Sequence, residues 1–98
     1  MPKVEVENVI RPGSTRKVDA AKYQAVRDAY LQILPAASPG LTPAELLVRL
    51  MPLLAEDLFP GGATAGWWAK TVQLDLEAKG LAVRSKAGPV RLRSAASA

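Results

Sequence analysis

Ninety-eight residues, 49% of them hydrophobic and none of them Cys or His, describe one small domain without disulfides, thiolate metal sites or the commonest general base. A chain this short buries a modest share of its surface and has little core to spare for a catalytic cleft, and no apolar run approaches the ~20 residues of a membrane span. The net charge of +4 is unevenly spread: residues 1–18 carry four basic and two acidic side chains, residues 19–78 four and seven, and residues 79–98 five and none.

Val4-Glu5-Val6-Glu7 alternates with period two and predicts an N-terminal strand. No apolar leader follows Met1-Pro2-Lys3, which predicts a cytoplasmic protein. Arg11 to Lys17 is rich in turn and polar residues and reads as a loop, so residues 1–17 form a strand and arm ahead of the first helix. That helix is predicted to start at Asp19, an N-cap residue. Tyr23, Val26, Tyr30, Ile33 and Leu34 share one face of it, and Pro35 with Ser38-Pro39-Gly40 ends it.

Thr42-Pro43-Ala44-Glu45 has the spacing of a capping box with Pro at the first helical position. Leu46, Leu47, Leu50 and Leu54 supply the apolar side of this second helix, and Pro52 is predicted to kink or end it. After the Pro60-Gly61-Gly62 turn, a third helix is predicted from about Ala63 or Thr64 to Lys79, with Gly80 at the left-handed position that follows a helix. Leu81-Ala82-Val83-Arg84 and Val90-Arg91-Leu92-Arg93, joined by a turn, form a hairpin. In it Leu81, Val83, Val90 and Leu92 face one way, and Arg84, Lys86, Arg91 and Arg93 the other. Residues 94–98 read as a flexible tail.

Three helices, a C-terminal hairpin and an N-terminal strand predict an α+β, mainly α, fold in one domain over residues 1–98. Leu58-Phe59-Pro60-Gly61-Gly62, Gly66-Trp67-Trp68, Lys70 and Val72-Gln73-Leu74-Asp75-Leu76-Glu77-Ala78-Lys79-Gly80 resemble a family of short bacterial proteins of no established function. Val18 to Tyr23 and Pro39 to Thr42 resemble it too. The resemblance spans roughly residues 9–93 and implies no activity. More loosely, Leu76 to Arg84 is similar to the end of the recognition helix and the first wing strand of winged-helix transcriptional regulators. This second resemblance implies a winged helix-turn-helix. The connection between helices two and three, with Pro52 and Pro60-Gly61-Gly62, is longer than theirs.

If the third helix faced DNA, Trp68, Ala69, Val72 and Leu76 would form its core side, and Trp67, Lys70, Thr71, Leu74, Glu77 and Ala78 its outer side. Lys70 and Thr71 suit phosphate or base contacts, and Arg84, Lys86, Arg91 and Arg93 would grip phosphates from the wing, with Lys3, Arg16 and Lys17 as arm contacts. The expected partner is double-stranded DNA. Trp67 and Leu74 suit a different role. A helix apolar on both sides is buried on both sides, so Val9 and Ile10 of the same chain, a second copy, or another protein would cover them. The hairpin also has a plain reading, in which Glu5 and Glu7 of the N-terminal strand pair with Arg84, Arg91 or Arg93. Catalysis, a cofactor and a metal are not expected: Glu56-Asp57 and Asp75/Glu77 do not converge on one site, and Gly61-Gly62 lacks the Lys-Ser/Thr of a phosphate loop.

Overall fold

The computed structural model describes residues 2–36, 40–85 and 88–95. Strand β1 (Lys3–Glu7) forms, and its partner is β2 (Thr15–Asp19), antiparallel, with Val4 opposite Val18 and Val6 opposite Arg16. Sequence pattern gave a loop over most of β2, because Val18 is its one apolar residue. The turn before it is set by Asn8, whose side-chain oxygen accepts the Ile10 and Arg11 amides. Glu5 lies across from Lys17 and Glu7 across from Thr15. The expected pairing of these acids with the C-terminal arginines does not form, since the two hairpins are separate sheets.

Helix α1 (Ala20–Ile33) follows directly, with Asp19 accepting the Lys22 amide at 2.9 Å as its N-cap. Helix α2 (Pro43–Leu50) carries the full capping box between Thr42 and Glu45 and passes into one 3₁₀ turn, Met51–Leu53, at Pro52. Helix α3 (Ala65–Ala78) ends in a Schellman motif. Gly80 takes φ +75°, its amide bonds to the Glu77 carbonyl, and the Leu81 amide bonds to the Leu76 carbonyl. These three boundaries agree with the sequence because each is decided within a few residues.

Strands β3 (Ala82–Arg84) and β4 (Leu92–Ser94) pair antiparallel, and Leu41, between α1 and α2, adds a bridge to Leu92 on the other edge of β4. The register is one residue away from the alternation read in the sequence. Leu92 lies opposite Arg84, and Arg93 opposite Val83. A one-residue slip exchanges the faces of a strand, so Arg84 shares its face with buried Ala82 and Leu92, and Val83 shares the other with Arg93. Ser94 closes β4, while residues 96–98 of the expected tail lie outside the described residues.

Helix α3 is the centre of the molecule. It packs against α1, α2, β1 and β3, and Val72, Gln73, Leu74, Asp75 and Leu76 are all buried in succession. Five consecutive buried positions cover more than one full turn, so this half of α3 is enclosed on every side. Around it lie Tyr23, Val26 and Tyr30 of α1, Leu46 and Leu50 of α2, Val6 and Val18 of the N-terminal hairpin, and Leu92 of β4. The Tyr30 hydroxyl donates to the Ala69 carbonyl at 2.8 Å, tying α1 to α3.

Gly40 and Gly66 separate two consequences of glycine. Gly40 has φ +88°, and a Cβ there would stand 2.3 Å from the Leu92 carbonyl oxygen. Gly66 is helical and faces open space. In urea unfolding, Gly40→Ala is expected to lower stability by about 1–3 kcal/mol, and Gly66→Ala to raise it by about 0.5–1 kcal/mol. A neutral or stabilising Gly40→Ala would contradict the close approach of Gly40 to Leu92 beside the Leu41–Leu92 bridge.

Candidate nucleic-acid interface

The start of α3 is the part of the helix that reaches solvent. Thr64 precedes it in the left-handed conformation, φ +61°, and offers no side-chain cap. Trp68 points inward beside Phe59, with ring centres 6.4 Å apart and planes at 82°. Trp67 stands edge-to-face on Trp68 at 5.1 Å, yet keeps 45% of its surface exposed. Both are favoured aromatic geometries, so Trp67 is held by a rigid stack. The Arg16 guanidinium lies 5.7 Å from the Trp67 ring centre, a cation–π contact. Lys70, one turn along, is exposed, and Thr71 is half-buried.

Leu74 does not share this exposure. It is 9% accessible and forms the floor of a cleft of about 280 Å³ between the N-terminal hairpin and α3, with Val6, Arg11, Ser14, Arg16 and Thr71 among its walls. The hairpin therefore covers Leu74 within the monomer, and Val6 rather than Val9 or Ile10 is the apolar residue that lines the cleft with it. Val9 and Ile10 remain 37% and 58% exposed beside β3. The stripe read from the sequence is thus divided, Leu74 covered and Trp67 open.

The C-terminal ribbon holds its cations differently from the sequence expectation. Arg84 forms a two-pronged pair with Glu77 of α3, at 2.7 and 3.0 Å. That hydrogen bond raises its already high pKa. Arg91 lies 3.5 Å from Glu45 and donates to the Gly40 carbonyl at 3.3 Å. Glu45 in turn is held below the ordinary carboxyl range, first by the Thr42 amide and hydroxyl and then by Arg91. Arg93, half-buried, has no carboxylate partner among the described residues. Lys86 lies outside the described residues. Of the six residues expected to contact nucleic acid, Lys70 and Thr71 stand together on α3, while Arg84 and Arg91 are engaged elsewhere.

Sequence reading did not find Asp75. Its side chain has no exposed surface, and Lys79 donates to both carboxylate oxygens at 2.7 and 2.8 Å. Tyr23 of α1 donates its hydroxyl to one oxygen, and the Glu7 amide of β1 donates to the other at 2.9 Å. The available signals were a carboxylate inside the apolar run Val72–Leu76 and a lysine four residues on. Burial pulls the Lys79 pKa down, but its bonds to Asp75 outweigh this and hold it above the usual value. Burial, reinforced by Asp75, pushes Tyr23 up as well. The three groups satisfy one another, with Asp75 enclosed and the Lys79 side chain reaching solvent.

A family model described as a family of unknown function (DUF6958) matches residues 3–92. No match was found among curated proteins or among solved structures.

Protonated Tyr23 and Lys79 are the forms that the native state favours, so their contribution is complete below the ordinary values of 10.0 and 10.5 and is lost as pH rises through the raised ones. Wild-type stability is expected to fall as pH rises above about 10 more steeply than that of a Tyr23→Phe/Lys79→Met variant. Asp75→Ala, which strands Lys79 and the Glu7 amide, is expected to cost about 3 kcal/mol at neutral pH. Urea unfolding across the pH series checks both: a flat alkaline profile would contradict the first, and an Asp75→Ala variant as stable as wild type at neutral pH the second.

Proposed function

The chain belongs to the DUF6958 family, and we propose that it is a winged-helix-like domain that holds duplex nucleic acid by its phosphates. Several features support the architecture. Leu41, between α1 and α2, bridges to β4, so the order is helix, bridge, helix, helix and two-stranded ribbon, which is that of a winged helix. The N-terminal hairpin is an addition to it.

One observation carries the function: the open half of α3 is its N-terminal half, and cations without acidic partners flank it. Helices of this kind meet bases and phosphates with their N-terminal residues. Here Trp67, Lys70 and Thr71 are on that half, with Arg16 across the Trp67 ring and Arg11 in the adjoining cleft. Lys70, Arg11 and Arg16 have no carboxylate partner among the described residues. The positive face therefore moves from the ribbon, where Glu77 and Glu45 offset Arg84 and Arg91, to the junction of hairpin and helix. Few base-reading groups are on offer, so binding without strong sequence preference follows.

A second reading, protein contact through Trp67 in a homodimer, is favoured by the 45% exposure of that ring. Exposed tryptophans are frequent interface anchors.

Titration of a labelled duplex separates the two. Binding with a Kd near 10⁻⁴–10⁻⁶ M at about physiological salt, tightening steeply as salt falls, is expected. Lys70→Glu should weaken it across all sequences and reduce the salt slope by about 1 or more. No binding at low salt would overturn the proposal. Concentration-dependent dimerisation in sedimentation, abolished by Trp67→Ala, would install the second reading in its place.

A further inference from the structure

The cleft under the N-terminal hairpin has a composition that the duplex reading does not require. Its walls are Val6, Glu7, Asn8, Arg11, Ser14, Thr15, Arg16, Thr71 and Leu74, around a volume of about 280 Å³. Two guanidinium groups meet one carboxylate there, a local surplus of positive charge. Arg27, Lys79, Arg84 and Arg91 each have an acidic neighbour within 4 Å, at Asp28, Asp75, Glu77 and Glu45. Arg11 and Arg16 have none among the described residues.

The other polar walls are similarly unspent. The hydroxyls of Ser14, Thr15 and Thr71 have no hydrogen-bond partner among the described residues. The side-chain oxygen of Asn8 is taken by the Ile10 and Arg11 amides, which leaves its NH₂ as donor. Arginine forks and hydroxyl donors around a small concavity match the acceptor oxygens of a phosphoryl group. The floor is apolar, Val6 and Leu74, and the exposed side chains of Arg11, Ser14, Thr15 and Arg16 stand around it, so a ligand enters from solvent.

We propose that this cleft binds a phosphoryl group, gripped by Arg11 and Arg16 with Ser14, Thr15 and Thr71 as hydroxyl donors. The volume lies at the lower edge of small-ligand sites, so a phosphate monoester fits better than a bulkier ligand. Glu7 is the one acidic wall and favours a monoester over a more highly charged polyphosphate. The same chemistry can come from a free monoester or from a phosphate of a nucleic-acid strand. Arg16 also contacts the Trp67 ring, so occupancy of the cleft changes the environment of an exposed tryptophan and is readable as fluorescence.

The test titrates the full chain with inorganic phosphate, with adenosine 5′-monophosphate and with a short duplex, by calorimetry and tryptophan fluorescence. Saturable binding of the monophosphate with one site per chain is expected. An Arg11→Gln/Arg16→Gln variant should weaken it by at least about tenfold. Thr71→Val, which keeps side-chain shape, should weaken it by a few-fold. Lys70→Glu lies outside the cleft and should leave the monophosphate unaffected while weakening the duplex, so loss of one activity is distinguishable from loss of the other. Failure of phosphate and monophosphate to saturate by about 10 mM would overturn the cleft site even if the duplex binds. Unchanged monophosphate affinity in both the arginine variant and Thr71→Val would do the same.

Discussion

Asp75 holds three segments of chain to one point. Its carboxylate is enclosed, and around it α1 contributes a hydroxyl, Lys79 at the C-cap of α3 an ammonium and β1 a backbone amide. A buried ion pair is a weak source of net stability, because desolvation opposes the Coulomb gain. Its effect is on geometry: each donor must reach the same two oxygens, so β1 is fixed against α3 at Glu7. Val6 and Leu74 then line one cleft, and the hairpin lies over the outer side of α3. A second enclosed carboxylate, Glu77, does a similar job two residues on. It accepts from Gln73 at 3.2 Å and from Arg84 of β3, tying the ribbon to the opposite side of the same helix.

These two acids decide which part of α3 is left for a partner. From Val72 to Leu76 the helix is closed in by hairpin, ribbon and the other helices. Only its first two turns, with Gly66, Trp67 and Lys70, face solvent. They also decide where positive charge is available. Glu77 and Glu45 hold Arg84 and Arg91, and Asp75 holds Lys79, so much of the C-terminal surplus is neutralised internally. Arg11 and Arg16, in the turn and second strand of the N-terminal hairpin, have no carboxylate partner among the described residues and adjoin the open turns of α3. The proposed duplex contact and the proposed phosphoryl cleft both arise from this redistribution.

Sequence carried the helix boundaries well. Asp19, the Thr42–Glu45 box and Gly80 act over three to five residues, and the tertiary structure has little leverage on them. It carried β2 poorly, since Thr15-Arg16-Lys17 is polar and its pairing is with β1, eight or more residues away. The ribbon register was out of reach for a related reason: turn geometry fixes it, and a slip of one residue leaves composition untouched. Candidate-site residues divided along the same line. Lys70 and Thr71 are on an open face by helix periodicity alone. The capture of Arg84 by Glu77, the covering of Leu74 by the N-terminal hairpin and the convergence on Asp75 join distant parts of the chain, and no local pattern encodes them.

Amide hydrogen exchange at Glu7 tests the keystone most directly. Its N–H points to Asp75 and not to β2, so only that carboxylate shields it. Slow exchange in the wild type is expected, with loss of protection at Glu7 in Asp75→Ala while the amides of residues 72–76 in α3 stay protected. An unprotected Glu7 amide in the wild type, or one that Asp75→Ala leaves unchanged, would contradict the fastening of the hairpin to the helix.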